Sequence, residues 1–282
     1  MSLKIPVVDR VSAYPGRVKL TPVTGETNTY TMERADSPIT EGTLINKALF
    51  DNKAYTVTSD TTLYVSTVGD DANGDGSSTA PFQTIQKAID SVPKHLGGHT
   101  VTIEIEAGTY EERLDVRGFS SGKLILGVYG RSTTIRGIAI KYSSTIVTNI
   151  SYITHADGFS GNLFDVDDNS SVLINQGITF DGTNGGLISC LYARNNSVVS
   201  ASSGNSITVN NSFAAIDASN GARISLSRLY GSGNYLGISA NTGAVISYES
   251  STLASSEGDV ASSGGRILYG SGSFNLSAAT VE

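Results

Sequence analysis

The sequence has no tryptophan, a single cysteine, no proline after Pro93 and no lysine after Lys141. A single cysteine, Cys190, cannot form an intramolecular disulfide, and it leaves no cysteine cluster for zinc or an iron–sulfur centre. Only 16% of the residues are charged, whereas 31 of the 282 residues are glycine. This composition argues against a helical protein rich in Lys, Glu and Leu, and it favours strands and turns.

The charge balance and the hydropathy pattern exclude two further classes of protein. The net charge is -7 and the pI is near 5.0, so the chain lacks the excess of basic residues that binding to nucleic acid phosphates requires. No run of 18 apolar residues occurs, and the N-terminus MSLKIPVVDR has no uninterrupted apolar stretch. We therefore expect no nucleic acid partner, no membrane insertion and no export signal.

The second half of the chain is charge-poor and carries a repeat. After Lys141 it contains 4 Arg and 10 acidic residues, and it consists mainly of Ser, Asn, Gly, Ala, Val and Ile. Small residues precede alternating apolar positions at spacings of 26, 24 and 22, namely at Ser171, Ser197, Gly221 and Gly243. The alignment predicts two columns on one face of the strands, Val172, Val198, Ala222 and Ala244 in the first and Ile174, Ser200, Ile224 and Ile246 in the second.

A repeat of this length, with several short strands per coil and no leucine-rich consensus, predicts a parallel β-helix. The lack of proline after Pro93 agrees with this fold, because a strand that is paired on both sides needs its N–H group. Asparagines precede the strands in two columns, Asn169, Asn195 and Asn241 in the first and Asn196 and Asn220 in the second, and they predict stacked turns joined by amide ladders. The sequence thus predicts an all-β chain with coils over about 100–260 and a C-terminal cap over 261–282.

A short amphipathic helix is predicted near 81–92, before the first coil. Its apolar residues fall on one helical face: Phe82, Ile85, Ala88, Ile89 and Val92. Pro81 would begin this helix and Pro93 would end it. An open end of a β-helix exposes unpaired strand edges, so we expect the helix to cap the first coil.

Two stretches of the chain resemble known protein families. The stretch from Tyr64 to about Val116 contains TAPFQTIQKAID and VTIEIEAGTYEERLDV, and it is similar to the start of pectate-lyase-like right-handed parallel β-helix proteins. Residues 1 to about 55 contain PVVDRVSAYPGRVKLTPV and NTYTMERADSPITEGT, which look like the N-terminal segment of bacteriophage tail and fibre proteins. The resemblance implies an extended N-terminal particle-attachment segment over 1–60 and a right-handed β-helix domain over 61–282.

The function that this resemblance implies is structural. We expect a virion component of a phage or phage-like tail (a fibre, spike or baseplate-associated protein) that is made in the bacterial cytoplasm and engages the host surface through a glycan. By analogy with phage fibres we expect a homotrimer that binds other tail or baseplate proteins through residues 1–60. The alternatives are a polysaccharide-degrading tailspike, acting as a hydrolase or lyase, and a purely structural decoration protein.

The enzyme alternative depends on one group of side chains. The repeat alignment places Asp167 and Asp217 in one column two layers apart, about 9–10 Å from each other, which is near the upper limit for inverting glycosidases. Arg194 is expected in the layer between them, over Asp168. In the other interpretation, Asp168 and Arg194 form a solvated ion pair and Asp167 and Asp217 are turn residues. The motifs of pectate lyases, polygalacturonases and pectin methylesterases are missing, so we expect no catalytic turnover.

The segment GDDANGDG is a candidate calcium site. Asp71, Asn73 and Asp75 supply oxygen ligands at alternating positions, and Gly76 follows them, as in half of a calcium loop. The twelfth position, which supplies a glutamate in complete loops, is Phe82 here. The alternative is a turn in which the Asp and Asn side chains bind nearby backbone N–H groups. No other cofactor is expected.

The remaining candidates have less support. His95 and His99 are expected to be exposed loop residues, because Gly97 and Gly98 between them disfavour a helix that would align them on a metal. Cys190 lies in the apolar segment GGLISCLYA and is expected in the core. Four tyrosines either stack on sugar rings or fill coil corners and subunit contacts: Tyr192, Tyr230, Tyr235 and Tyr248.

Overall fold

The computed structural model describes residues 11–12, 18–22, 24, 30–34, 38–40, 56–155, 161–183 and 188–269. The chain divides into two units between Ala54 and Tyr55. In the first unit, β1 (Val11–Ser12) pairs antiparallel with β4 (Pro38–Thr40), and β2 (Val18–Pro22) pairs antiparallel with β3 (Tyr30–Arg34). Its role in attachment stays a prediction.

The second unit contains one short helix and 21 strands in its described part. The helix is α1 (Ile85–Ser91). The strands are β5 (Thr61–Val65), β6 (Thr100–Ile105), β7 (Gly108–Thr109), β8 (Arg113–Arg117), β9 (Lys123–Leu126), β10 (Thr133–Ile135), β11 (Gly137–Lys141), β12 (Ile146–Thr148), β13 (Tyr152–Thr154), β14 (Phe164–Asp167), β15 (Ser171–Ile174), β16 (Ile178–Asp181), β17 (Ser189–Ala193), β18 (Val198–Ala201), β19 (Ser206–Asn210), β20 (Ala214–Ala218), β21 (Arg223–Asn234), β22 (Leu236–Asn241), β23 (Val245–Ser255), β24 (Val260–Ser262) and β25 (Arg266–Tyr269).

The strands of the second unit form three stacked faces, and every pairing between them is parallel. The first face contains β5, β6, β9, β12, β15 and β18, and the second contains β7, β10, β13, β16 and β19. The long strands β21 and β23 continue from the first face into the second. The third face is a 7-stranded sheet in the order β24-β22-β20-β17-β14-β11-β8. The predicted parallel β-helix is therefore confirmed, with about 7 turns, while its handedness stays a prediction.

The core lies inside the coils and consists of columns of apolar side chains that repeat from layer to layer. On the first face the inward column contains Leu124, Ile146, Val172, Val199, Ile224 and Ile246. On the third face it contains Ile138, Phe164, Leu191, Ile216 and Ile238. All these residues are buried, and burial of each such side chain contributes about 1.5–3 kcal/mol.

The predicted alignment is wrong by one residue at two steps, between the fourth and fifth coils and between the fifth and sixth, where Val198 pairs with Arg223 and not with Ala222. Val172 pairs with Val199, not with Val198, and Val198 faces outward with 40% of its surface exposed. The alignment started from Ser171, but the buried corner position belongs to Ser170, whose N–H donates to the Ser197 hydroxyl at 3.2 Å. In a strand a slip of one residue moves every side chain to the other face.

This correction changes the predicted columns. Ser200, which interrupted the apolar column, pairs with Leu173 and Ser225 and faces outward. Ala222 and Ala244 are buried before their strands begin, so they do not share a column with Val172. Ile224 and Ile246 pair as predicted.

One corner of the coil, between the third face and the first, has a constant geometry. Five consecutive coils place two left-handed residues there, with φ between 48° and 79°, namely Asp168–Asn169, Asn195–Asn196, Asn220–Gly221, Thr242–Gly243 and Ser263–Gly264. The Asn220 side-chain N–H donates to the Asn195 side-chain oxygen at 3.0 Å, so one amide bond joins two layers, but between residues that the alignment had placed in different columns. Asn and Gly suit this conformation because it is costly for most other residues.

The helix caps the first coil but is shorter than predicted. It begins at Ile85, after the N-cap Thr84, and not at Pro81. Phe82 lies outside the helix, in a parallel bridge with Val65. The predicted apolar residues are all buried. Gln86 supplies hydrogen-bond partners to the unpaired edge of β8. Its side-chain amide accepts from the Asp115 N–H at 2.8 Å and donates to the Asp115 C=O at 3.1 Å.

Candidate functional site

The structure separates the two carboxylates that the repeat alignment placed in one column. Asp167 pairs with Lys141 on β11, and on the other side it lies level with Arg194. Asp217 pairs with Tyr192, and Tyr192 pairs with Asp165. The column on the third face that contains Asp217 therefore includes Asp165 and not Asp167. The cause is that the alignment is displaced by one residue at each of the two steps between these layers, and so by two residues in total.

Asp167 is a fully engaged anion. It accepts hydrogen bonds from Arg194 Nε at 2.8 Å, from Asn195 Nδ2 at 2.7 Å, from its neighbour's backbone N–H at 2.8 Å and from Lys141 Nζ at 3.3 Å. Burial alone would raise its pKa, but the charge of Arg194 and these hydrogen bonds lower the pKa overall. A carboxylate held in this way is a poor proton donor.

The predicted ion pair of Arg194 also has a different partner. Arg194 forms its ion pair with the carboxylate of Asp167, not with that of Asp168. The Asp167 side chain is only 5% exposed. The guanidinium lies 5.3 Å from the centre of the Tyr192 ring, and Nη2 lies 3.8 Å from Asp165 Oδ2. Arg194 thus joins the Asp167 position to the neighbouring column.

That neighbouring column is the candidate functional site, and we call Asp165, Tyr192 and Asp217 the outward column of the third face. Burial raises the pKa of Asp165 and of Asp217. Within the described part of the chain, the Oδ1 atom of each is buried and accepts no hydrogen bond. The two carboxyl groups lie two layers apart, about 10 Å at the usual strand spacing. Tyr192 lies between them, and its hydroxyl is 3.1 Å from Ser219 Oγ.

Sequence reasoning missed Asp165, although the sequence holds the signal for it. The segment FDVD alternates apolar and acidic residues from Phe164 to Asp167. Aligning its two apolar residues with Leu191 and Ala193, rather than aligning the small residues at the corner, places Asp165 beside Tyr192. Core positions therefore fix the layer register better than corner residues do.

The carboxylates of the candidate calcium loop bind backbone and side-chain donors. Asp71 accepts from the N–H groups of Gln83 at 2.8 Å and Thr84 at 3.0 Å, and from the Thr84 hydroxyl at 2.6 Å. Asp75 accepts from the Ser77 N–H at 2.9 Å, and Asn73 donates to Asp70 at 2.8 Å. These are the contacts of the alternative interpretation, a turn rich in Asp and Asn.

Burial alone would raise the pKa of Asp71, but the hydrogen bonds from Thr84 and Gln83 lower it. The N–H and side-chain bonds from Ser77 lower the pKa of Asp75. Throughout the described residues, no three His, Cys, Asp or Glu side chains are grouped closely enough to hold a metal ion. The bonds from Gln83 and Thr84 to Asp71 join this loop to the start of α1. Calcium binding by the loop stays a prediction.

The other candidates occupy different places. His95 bridges to Thr56 and Ser120 through its backbone, and His99 Nδ1 lies 3.5 Å from Asp60 Oδ1. Cys190 is buried, as predicted, and burial raises its pKa to about 12.

The four candidate tyrosines do not form one surface. Tyr248 is buried, and Tyr230 is half-buried. Tyr235 is 48% exposed and stacks on Phe213, with ring centres 5.3 Å apart. Only Tyr192 belongs to the outward column of the third face.

Comparison with known proteins finds no family model that matches this sequence, no similar curated protein and no similar solved structure. Among the described residues, no helix has the length and apolar character needed to cross a membrane.

Proposed function

We propose that this protein binds a polysaccharide of a bacterial cell surface through the third face of its β-helix. The observation that carries this proposal is the outward column of Asp165, Tyr192 and Asp217, with Arg194 beside it. An aromatic ring offers a face for a sugar ring, and the flanking carboxylates and guanidinium offer acceptors and donors for its hydroxyl groups.

The stacked strands suit this task because they are rigid. The outward side chains are fixed by paired strands on both sides, so binding orders few groups of the protein and costs little conformational entropy. The Arg194 side chain is 33% exposed, so its guanidinium can donate to a sugar hydroxyl beside the Tyr192 ring. The repeat of the layers, about 4.8 Å, places such groups at regular intervals along an extended ligand.

The particle that would carry this surface is a phage or phage-like tail. This part of the proposal is supported by the resemblance of residues 1 to about 55 to tail and fibre proteins, and by the separate unit that Ser2–Ala54 form. Attachment to other tail or baseplate proteins through that unit would display the β-helix on the virion. A homotrimer would repeat the binding face three times and raise the avidity for a repeating polysaccharide.

Retention on host polysaccharide tests this proposal. Purified protein should be retained by immobilised host cell-wall glycan, and Tyr192→Ala should lose most of that retention. Tyr129→Ala is the matched control, because Tyr129 is an exposed tyrosine outside the third face (66% exposed). Equal retention of both variants would contradict the site. No retention of the wild-type protein would favour a purely structural decoration protein.

A second candidate function is glycoside hydrolysis by Asp165 and Asp217. Their raised pKa values are typical of proton donors, and their separation of about 10 Å lies near the upper limit for inverting enzymes. Oligosaccharide release from host glycan, measured for the wild type and for Asp165→Asn/Asp217→Asn, separates the two functions. Our proposal expects binding without release. Release that disappears in the double variant would establish the enzyme.

A further inference from the structure

A second concave site lies at the N-terminal end of the β-helix, in coils that do not contribute to the outward column of the third face. It is a cleft of about 190 Å³ between the end of β5, the loop that precedes α1, and the outward side of β6. Its lining includes Tyr64, Pro81, Ser66 and Ser78, and the charged residues Glu104, Glu106 and Arg131. A volume well below that of drug-sized pockets indicates a ligand of about one ring.

The charged wall of this cleft is held in place before any ligand binds. Arg131 Nη2 donates to Glu104 Oε1 at 2.8 Å, and Arg131 Nη1 donates to the Ile105 C=O at 3.4 Å. The Glu104 side chain is 27% exposed and that of Arg131 is 38% exposed, so both still face the solvent of the cleft. A guanidinium and a carboxylate fixed side by side present a donor next to an acceptor, as two neighbouring hydroxyl groups of a sugar ring require.

The register of the strands keeps this wall open and adds an aromatic surface. Tyr64 pairs with Glu104, so the tyrosine lies directly beside the ion pair. On the other side Leu126 pairs with Ile103, which brings Gly127 level with Glu104. Gly127 has no side chain, so it leaves Glu104 uncovered, and from that layer Arg131 contacts one oxygen of the carboxylate. Tyr64 can therefore pack against the face of a ring whose edge contacts Glu104 and Arg131.

The charges select among sugar units. The cleft holds two carboxylates against one guanidinium, and Glu106 makes no ion pair with any described residue. The excess negative charge repels an acidic ligand and attracts a cationic one. We propose that this cleft binds a single hexose unit, that it prefers a hexosamine with a free amino group over a neutral hexose, and that it rejects a hexuronate.

Saturation-transfer NMR on the full chain tests this order with three probes: glucosamine, methyl glucoside and glucuronate. The strongest transfer is expected to glucosamine, weaker transfer to methyl glucoside and none to glucuronate. Tyr64→Ala and Glu104→Gln should each abolish the transfer. Glu106→Gln should remove the preference for glucosamine over methyl glucoside, whereas Glu257→Gln, at an exposed acid far along the chain, should leave it unchanged.

Three results would overturn the proposal: no transfer to any probe, transfer to glucuronate equal to that of glucosamine, or signals that persist in both Tyr64→Ala and Glu104→Gln. The unfolding temperature of each variant shows whether it is folded, and Glu106→Gln tests the charge argument at an exposed residue that tolerates change. Polysaccharide retention by the third face is measured separately with Tyr192→Ala. A negative result for the cleft therefore leaves the proposal for the third face open, and a negative result for the third face leaves the cleft open.

Discussion

The Glu112 carboxylate accepts a hydrogen bond from the Ile85 backbone N–H at 2.9 Å, and its second oxygen accepts one from Gln86 N–H at 2.9 Å. Glu112 precedes β8 in the first coil, whereas Ile85 and Gln86 begin α1. The first N–H groups of a helix have no partner inside the helix, so these two bonds join the cap to the coil that it covers. Burial raises the pKa of Glu112, although the two N–H bonds act in the opposite direction.

We predict that Glu112→Ala destabilises the β-helix by about 1–3 kcal/mol, because it leaves two buried helix N–H groups without an acceptor. Urea unfolding followed by circular dichroism measures the change. The control is Glu111→Ala, which removes a largely exposed carboxylate that is paired with Arg136 and should alter stability little. Equal losses in the two variants would contradict the capping role.

Asp217→Asn should stabilise the protein at pH 7, on the order of 1 kcal/mol or ~2–4 °C. The folded protein holds this carboxylate at a pKa raised above 3.8 by burial, and one of its oxygens accepts no hydrogen bond in the described structure. The cost is present above the raised pKa and disappears as the pH falls through it towards 3.8, because the wild-type group then becomes protonated. The melting temperatures of the wild type and of Asp217→Asn should differ at pH 7 and converge at pH 4. An Asn variant less stable than the wild type at pH 7 would refute this.

Asp167→Asn should have the opposite effect, with a loss of about 3–5 kcal/mol at pH 7, because Arg194 and Lys141 would lose a buried anionic partner. The pKa of Asp167 is lowered below 3.8 in the folded protein. Its contribution is therefore complete above 3.8 and is lost as the pH falls through the lowered pKa. Chemical unfolding of the wild type and of Asp167→Asn at pH 7 and near pH 2 measures the loss at neutral pH and its disappearance in acid. A difference that is independent of pH would exclude the ionic explanation.

At the constant corner, Asn195→Ala should cost about 1 kcal/mol more than Asn195→Gly. Both variants lose the side-chain bonds to Asp167 and Asn220, but only alanine is strained at the φ of 54° found there. Asn241 lies at the end of β22 without a positive φ, so Asn241→Gly should cost more than Asn241→Ala. Urea midpoints of the four variants give the order, and the same order at both positions would contradict the strain argument.

Cys190 should not react with a thiol reagent in the native protein at pH 8, because it is buried and its pKa is raised to about 12. In guanidinium chloride the thiol should react fully. Rapid native labelling would show that the third face opens between β17 and its neighbours.

The sequence predicted the fold because the core repeats. Period-2 alternation and the loss of proline after Pro93 reflect strands that are buried and paired on both sides, and these requirements act on every coil. The helix was predicted too long because Phe82 suits both an apolar helix face and the bridge to Val65 that it forms. Its tertiary contact with β5 outweighed the helical pattern.

The site was harder to predict, because it depends on the register between layers and not on composition. The small corner residues Ser171 and Ser197 look equivalent in sequence, yet Ser170 is the partner of Ser197. Asp165 and Asp167 differ only in register, and an alignment on the apolar residues Phe164 and Val166, not on the corner residues, is needed to separate them. Burial raises the pKa of Asp165, whereas at Asp167 the charge of Arg194 and hydrogen bonds from Asp168, Asn195 and Lys141 outweigh burial and lower the pKa, and only the folded chain shows these contacts.

The corner between the third and first faces holds one length throughout five coils. Seven residues lie between the core positions on either side of it: Ile138 to Ile146, Phe164 to Val172, Leu191 to Val199, Ile216 to Ile224 and Ile238 to Ile246. The connection between the second and third faces varies instead, from the long one between Thr154 and Phe164 to a single residue between Asn234 and Leu236.

The corner between the third and first faces therefore maintains the register of the layers, whereas the connection between the second and third faces accepts changes in length. Mutations that lengthen the left-handed corner would shift every later layer, whereas insertions at the variable connection leave the stacking intact. Foreign peptides or new loops could be grafted at the variable connection without a new fold.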